Sequence, residues 1–165
     1  MLFFKNNPFD SARKIRFAGV PDGCDALLVA RLLETCAAHG TLIHIAEDEG
    51  AMTRLAECLV QFAPQAEVLT LPAWDCLPYD RVPPHGDVVA QRLACLARLL
   101  EPADRPRAVV TTVSAALQRL PPRRAIALSA FEARVGTQFS LDALNGFFQV
   151  NGYRRASTVH EPGEY

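Results

Sequence analysis

Polar and apolar residues alternate from Lys14 to Ala18, the period of a strand with one buried face. Gly19-Val-Pro-Asp-Gly23 then supplies turn chemistry before an alanine- and leucine-rich run from Ala26 to Ala38. The pattern predicts strand, turn and helix in that order. Gly40 closes the helix, Thr41 to Ala46 is a short apolar strand, and Ala51 to Phe62 carries apolar residues at helical spacing, with Asp48 and Glu49 near its start. Ala66 to Leu71 repeats the strand pattern, a proline-rich connection runs from Pro72 to Gly86, and helical periodicity returns from Asp87 to Leu100. Arg107 to Thr112 reads as a fourth strand leading into a helix from Ser114 to Leu120. This alternation predicts an α/β domain with a parallel sheet flanked by helices on both faces, because parallel neighbours need crossover connections.

The texture changes at Pro121-Pro-Arg-Arg124. Beyond it, Ala125 to Phe131 reads as a strand of a second, α+β module. A helix capped by Ser140 or Asp142 follows towards Val150, then Gly152-Tyr153 and an extended stretch to Tyr165. The predicted division is residues 1–122 for the α/β domain and 123–165 for an incomplete module. About forty residues with one helix and two strand-like runs bury too little surface to fold stably alone, so the chain is expected to be cut from a longer protein.

Half the residues are apolar and the formal net charge is −1. A domain that neutralises several phosphates shows a basic excess or stripe, so tight independent binding to nucleic acid is not expected. Cys24, Cys36, Cys58, Cys76 and Cys95 are an odd set without a C-x-x-C pair, which points to free thiols in a reducing cytoplasm and to no zinc site. The opening Met1 to Pro8 has too short an apolar run for a signal peptide. No later run reaches the roughly 18–20 residues that cross a bilayer, so a cytoplasmic location without a membrane partner is expected.

The turn after the first predicted strand is the place where a phosphate loop, Gly-x-x-x-x-Gly-Lys-Ser/Thr, cradles a nucleotide with backbone amides, a lysine and a magnesium-binding hydroxyl. The register here is Gly19-Val-Pro-Asp-Gly23-Cys24-Asp25-Ala26. Cys24 replaces the second glycine, Asp25 the lysine and Ala26 the hydroxyl, while Pro21 removes a backbone donor. An aspartate in place of the cation reverses the sign of the interaction with phosphate, so Gly19, Gly23, Cys24, Asp25 and Ala26 read as a degenerate phosphate loop kept as architecture, with no cofactor bound.

The Leu71 to His85 segment gathers Trp74, Tyr79, four prolines and His85, a stiff connection in which Trp74 and Tyr79 are expected to anchor the loop on the sheet edge. Cys76 and His85 form a conceivable nucleophile and base, but nothing orients a third partner or supplies an oxyanion hole, and no catalytic residue is assigned. His44 reads as a core residue in an apolar strand, His39 and His160 as isolated, and Glu47-Asp48-Glu49 as charge at a helix N-terminus; no metal constellation forms. Arg123-Arg124 and Arg154-Arg155 are the adjacent basic pairs, and the second, after Gly152-Tyr153, is the better candidate for a partner contact. The rival classes are a small nucleotide-binding or cysteine-dependent enzyme, built on the Gly19 turn or on Cys76, and a DNA-binding module.

Three blocks taken together resemble the N-terminal, UvrB-like region of the bacterial transcription-repair coupling factors (the Mfd family). They are Trp74-Asp-Cys-Leu-Pro-Tyr-Asp80 with Pro83-Pro-His-Gly-Asp87 and Arg92-Leu93; Val109-Val-Thr-Thr112 with Leu117-Gln118 and Leu120-Pro-Pro122; and Gly152-Tyr153 with Glu161-Pro-Gly-Glu-Tyr165. The resemblance runs from about Phe17 to the last residue, with Pro83 standing where a small residue such as serine is common. It implies a P-loop NTPase/helicase-like fold whose phosphate loop is degenerate. It also implies a scaffold role without catalysis in nucleotide excision repair: recruiting the damage-recognition subunit (UvrA) to stalled RNA polymerase, and autoinhibition. In the family, ATP and magnesium serve a DNA translocase at the far end of the longer protein. The inserted, partner-recruiting module would begin near Arg124, and Arg155, with Arg154 beside it, is the partner contact carried over.

Overall fold

The computed structural model describes residues 16–21, 23–35, 40–77, 79–131, 133 and 135–165. The chain forms two compact units, one of residues 1–73 and 101–118 and the other of residues 74–100 and 119–165. The division expected at residue 122 follows the change of sequence texture, whereas these units follow spatial contacts, and the two groupings differ over residues 74–100 and 119–122.

The first unit holds a three-stranded parallel sheet, so the α/β class read from the sequence is the one found. Its strands are β1 (Thr41–Ala46), β2 (Glu67–Leu71) and β3 (Arg107–Thr112), in the order β1-β3-β2. All six residues of β3 are buried, as a central strand with apolar Ala108, Val109 and Val110 requires. The strand expected at Lys14 to Ala18 lies partly outside the described residues, and Arg16 to Ala18 take no strand conformation.

Helix α1 (Asp25–Thr35) buries Ala26, Val29, Ala30, Leu32 and Leu33. Helix α2 (Glu49–Phe62) buries Met52, Leu55, Ala56 and Leu59, positions that share one face at 3.6 residues per turn. The Asp48 carboxylate accepts from the Ala51 amide at 2.7 Å and so satisfies one of the unpaired donors at the start of α2. Both helices pack into one core with Ala46, Ala108 and Val110, where alanines let the backbones approach closely. On β1 the pleat alternates, and Ile43 and Ile45 stay 66% and 53% exposed. Among the described residues, cover on both faces, expected from the sequence, does not extend over this strand.

A buried ion pair links neighbouring strands. Arg107 donates through Nε to Glu67 Oε2 at 2.7 Å, with the two residues directly opposite in register. Arg107 Nη1 also donates to the Glu101 carbonyl at 3.3 Å. At the far end of β3, Thr112 Oγ1 accepts from the Ala115 amide and caps the short helix α4 (Val113–Leu117), which stops before the Leu120 expected from the sequence.

The second unit contains α3 (Gly86–Leu100), α5 (Arg123–Leu128) and α6 (Leu141–Val150), with α5 packed on α3. The α5 segment corrects the strand expected from Ala125 to Phe131. Its alternation comes largely from alanines, whose helical preference outweighs a weak period of two once Pro122 has opened the turn. Ser140 Oγ accepts from the Ala143 amide and caps α6, and Asn151 donates through Nδ2 to the Phe147 carbonyl at the other end. Gly152 follows at a φ of 78°, a left-handed conformation that favours glycine. No residue of α6 is buried. The final extended stretch carries a single bridge, Arg154 to Glu164, instead of a strand.

Candidate functional site

The turn expected from the sequence to be a degenerate phosphate loop lies at the start of α1. Gly19 and Gly23 have φ of 70° and 82°, so both adopt the left-handed backbone that glycine tolerates. The Cys24 amide donates to the Pro21 carbonyl at 3.0 Å, which closes the turn, and the Cys24 carbonyl accepts from Leu28. Asp25 opens the helix, its Oδ1 accepting from the Ala26 amide at 2.9 Å, and Ala26 is buried in the core. Asp22 lies outside the described residues.

Val20, Pro21, Gly23 and Asp25 line a groove of about 730 Å³ together with Glu47, Ala51, Arg54, Leu55, Glu57 and Cys58. The lining thus includes three acidic residues, Asp25, Glu47 and Glu57, and one arginine, Arg54. A helix N-terminus ordinarily favours an anion, but here a carboxylate takes the first helical position and bonds the nearest amide itself. The residues do not fit a nucleotide triphosphate with its magnesium: the cation that would neutralise phosphate is replaced by Asp25 and the hydroxyl by Ala26. On β1, burial holds the His44 imidazole below its ordinary pKa, and the nearby Asp25 charge offsets part of that effect.

The carboxylates of Glu47-Asp48-Glu49 have separate placements. Glu47 faces the groove, Asp48 caps α2, and Glu49 Oε1 accepts from the Ala73 amide at 2.9 Å. Among the described residues no group of three or more His, Cys, Asp or Glu is placed to hold a metal ion. His39 and Cys36 lie outside those residues. No helix among them is long and apolar enough to cross a membrane.

In the second unit the loop before α3 is held by polar contacts. Arg92 of α3, itself buried, lies under the Trp74 ring with its guanidinium carbon 4.3 Å from the ring centre, a cation–π contact. The Asp75 carboxylate accepts from the His85 amide at 3.2 Å, and Asp80 Oδ2 accepts from the Leu77 amide at 2.7 Å. Trp74 therefore anchors the loop, but Tyr79 does not: it is 97% exposed. The His85 ring is exposed and its Nδ1 lies 3.5 Å from Asp87, so its nearest acidic partner belongs to the start of α3.

Arg154 and Arg155 are both exposed. The Arg154 backbone is fixed between Gly163, whose carbonyl accepts its amide at 2.8 Å, and Tyr165, whose amide donates to its carbonyl at 2.9 Å. Its guanidinium lies 3.9 Å from Glu164. The Glu164 carboxylate is held below its ordinary pKa first by the His160 amide, then by the Glu161 amide and by the Arg154 charge.

No protein-family model matches the chain. It is 34% identical to the transcription-repair-coupling factor of Escherichia coli K12 over 85% of its own length, 27% to that of Haemophilus influenzae over 87%, and 30% to that of Myxococcus xanthus over 94%. The chain is homologous to the N-terminal region of the transcription-repair-coupling factors. It spans 12% to 13% of the length of these relatives. The coupling-factor blocks read from the sequence include residues that meet within the second unit. Trp74 stacks on Arg92, Asp75 ties back to His85, and a Cβ on Gly86 would sit 3.5 Å from the Pro162 carbonyl.

Two features escaped the sequence reading. One is the Glu67–Arg107 pair, whose partners are forty positions apart and become neighbours only through the sheet register. The other is an apolar groove of about 510 Å³ in the second unit, lined by residues that include Ala90, Leu93, Ala94, Phe147, Phe148 and Tyr153. The alanines of α3 at helical spacing were its one local signal.

Proposed function

We propose that the chain is a non-catalytic scaffold within a transcription-repair coupling protein, working in the cytoplasm in nucleotide excision repair. Its first unit is a motor-like, UvrB-like fold whose phosphate loop is degenerate. The observation that carries this reading is Asp25 at the first position of α1, in a groove also lined by Glu47 and Glu57, where a nucleotide would need a cation. In this reading the longer parent is an ATP-dependent DNA translocase that uses ATP and magnesium elsewhere. The present region serves to bring the damage-recognition subunit (UvrA) to stalled RNA polymerase, with Arg154 and Arg155 as contacts. Their exposure supports that role, as does the backbone bridge that fixes Arg154.

Nucleotide binding is tested by thermal unfolding of the chain with magnesium and ATP. A ligand at a hundred times its Kd stabilises the native state by about 2.7 kcal/mol, enough to move the midpoint measurably. The expected result is no movement. A rise in the midpoint that saturates with ATP would overturn the non-catalytic reading and favour the nucleotide-binding enzyme.

A further inference from the structure

Residues 153–165 form a strap that returns on itself. The Arg154 amide donates to the Gly163 carbonyl at 2.8 Å, the Tyr165 amide to the Arg154 carbonyl at 2.9 Å, and the Ala156 amide to the Tyr165 carbonyl at 2.9 Å. Both ends of the strap rest on one ring of α6, because Phe148 packs against Tyr153 at 4.9 Å and against Tyr165 at 4.7 Å between ring centres. The bend between those ends has no apolar core, since residues 157–163 are all exposed. Polar contacts must hold it.

Glu164 supplies such contacts. Its Oε2 accepts from the His160 amide at 3.0 Å and from the Glu161 amide at 3.4 Å, and its own amide donates to the Glu161 carbonyl at 3.2 Å. Gly163, at a φ of 94°, reverses the backbone just before it. The other carboxylate oxygen, Oε1, lies 3.9 Å from Arg154 Nη2. The Glu164 side chain is 18% exposed and that of Arg154 76%, so the carboxylate is turned into the strap and the guanidinium out of it.

We propose that Glu164 is the positioning residue for the Arg154 contact: its carboxylate closes the bend through the His160 and Glu161 amides and so fixes the place from which the guanidinium meets a partner. This rests on the reading of Arg154 as a partner contact. The amides carry the effect, because an exposed ion pair contributes little, whereas a carboxylate that accepts from backbone amides makes charge-assisted hydrogen bonds. A guanidinium held in place beforehand loses less freedom on binding.

Amide hydrogen exchange of the whole chain tests the strap in two variants: Glu164→Ala, which removes the acceptor, and Glu164→Gln, which keeps an accepting oxygen and removes the charge. Glu164→Ala is expected to speed exchange at the Arg154 and Tyr165 amides at least about tenfold and to leave the urea midpoint unchanged, since the bend buries no core. Glu164→Gln is expected to stay within about threefold of the wild type. Exchange that Glu164→Ala leaves unchanged would overturn the proposal, as would a fall in the urea midpoint, which would make the role one of global stability. In a longer form that continues through the inserted module, calorimetric titration with the damage-recognition subunit (UvrA) should show Glu164→Ala weakening binding at least about tenfold and Glu164→Gln restoring it. Affinity lost with Arg154→Ala but kept with Glu164→Ala would overturn the positioning role alone. Affinity kept with both would overturn the contact reading beneath it.

Discussion

Helices α2 and α6 both begin on a capping side chain and both carry apolar residues at helical spacing, yet α2 buries Met52, Leu55, Ala56 and Leu59 while α6 buries nothing. The difference lies in what each helix meets. Beside α2 stand α1, which turns Ala26 and Ala30 into the core, and the central strand β3, and their small side chains bring the backbones close enough to exclude water. Around α6 the aromatic rings touch one another, Phe131 with Phe147 at 5.4 Å and Phe148 with Tyr165 at 4.7 Å, but line an open groove. Amphipathic spacing provides a face; a tertiary partner decides whether that face is buried.

The largest effect expected from this contrast is at the buried pair of the sheet. Glu67→Ala leaves the Arg107 guanidinium buried without its carboxylate and should cost about 3–5 kcal/mol in urea unfolding, whereas the joint change Glu67→Leu with Arg107→Met should recover most of it. Next, Leu59→Ala in α2, at a fully buried position, should cost about 2–5 kcal/mol, while Leu141→Ala in α6 should stay within about 0.5 kcal/mol. Equal losses at the two helices would break the comparison.

The smallest expected effect is a pH dependence. Burial lowers the His44 pKa in the folded state, so the unfolded chain takes up the proton first on acidification. Stability should therefore fall as pH drops from about 6.5 towards the lowered folded value, and be fully present above 6.5. His44→Gln should flatten that part of the profile, and an NMR titration of the imidazole should place its midpoint below 6.5.

The sheet was legible because β1, β2 and β3 are short apolar runs separated by helices of clear period; the start of α2 was legible from the charge of Asp48 and Glu49, and the cap of α6 only as Ser140 or Asp142, of which the structure uses Ser140. The Gly19 to Ala26 turn was likewise readable from residue type alone. Residues 125–131 misled because alanine fits either period, and the length of α4 was overestimated for want of a stop signal before Pro121. The Glu67–Arg107 pair and the exposure of Tyr79 depend on which segments meet, and no local pattern encodes that; the apolar groove had only the spacing of the α3 alanines as a local signal.

The scaffold role is tested most directly by calorimetric titration of the damage-recognition subunit (UvrA) into the chain and, in parallel, into a longer form that continues through the inserted module. The account predicts binding by the longer form that weakens when Arg154 and Arg155 are both changed to alanine. Absence of binding by either form would contradict it.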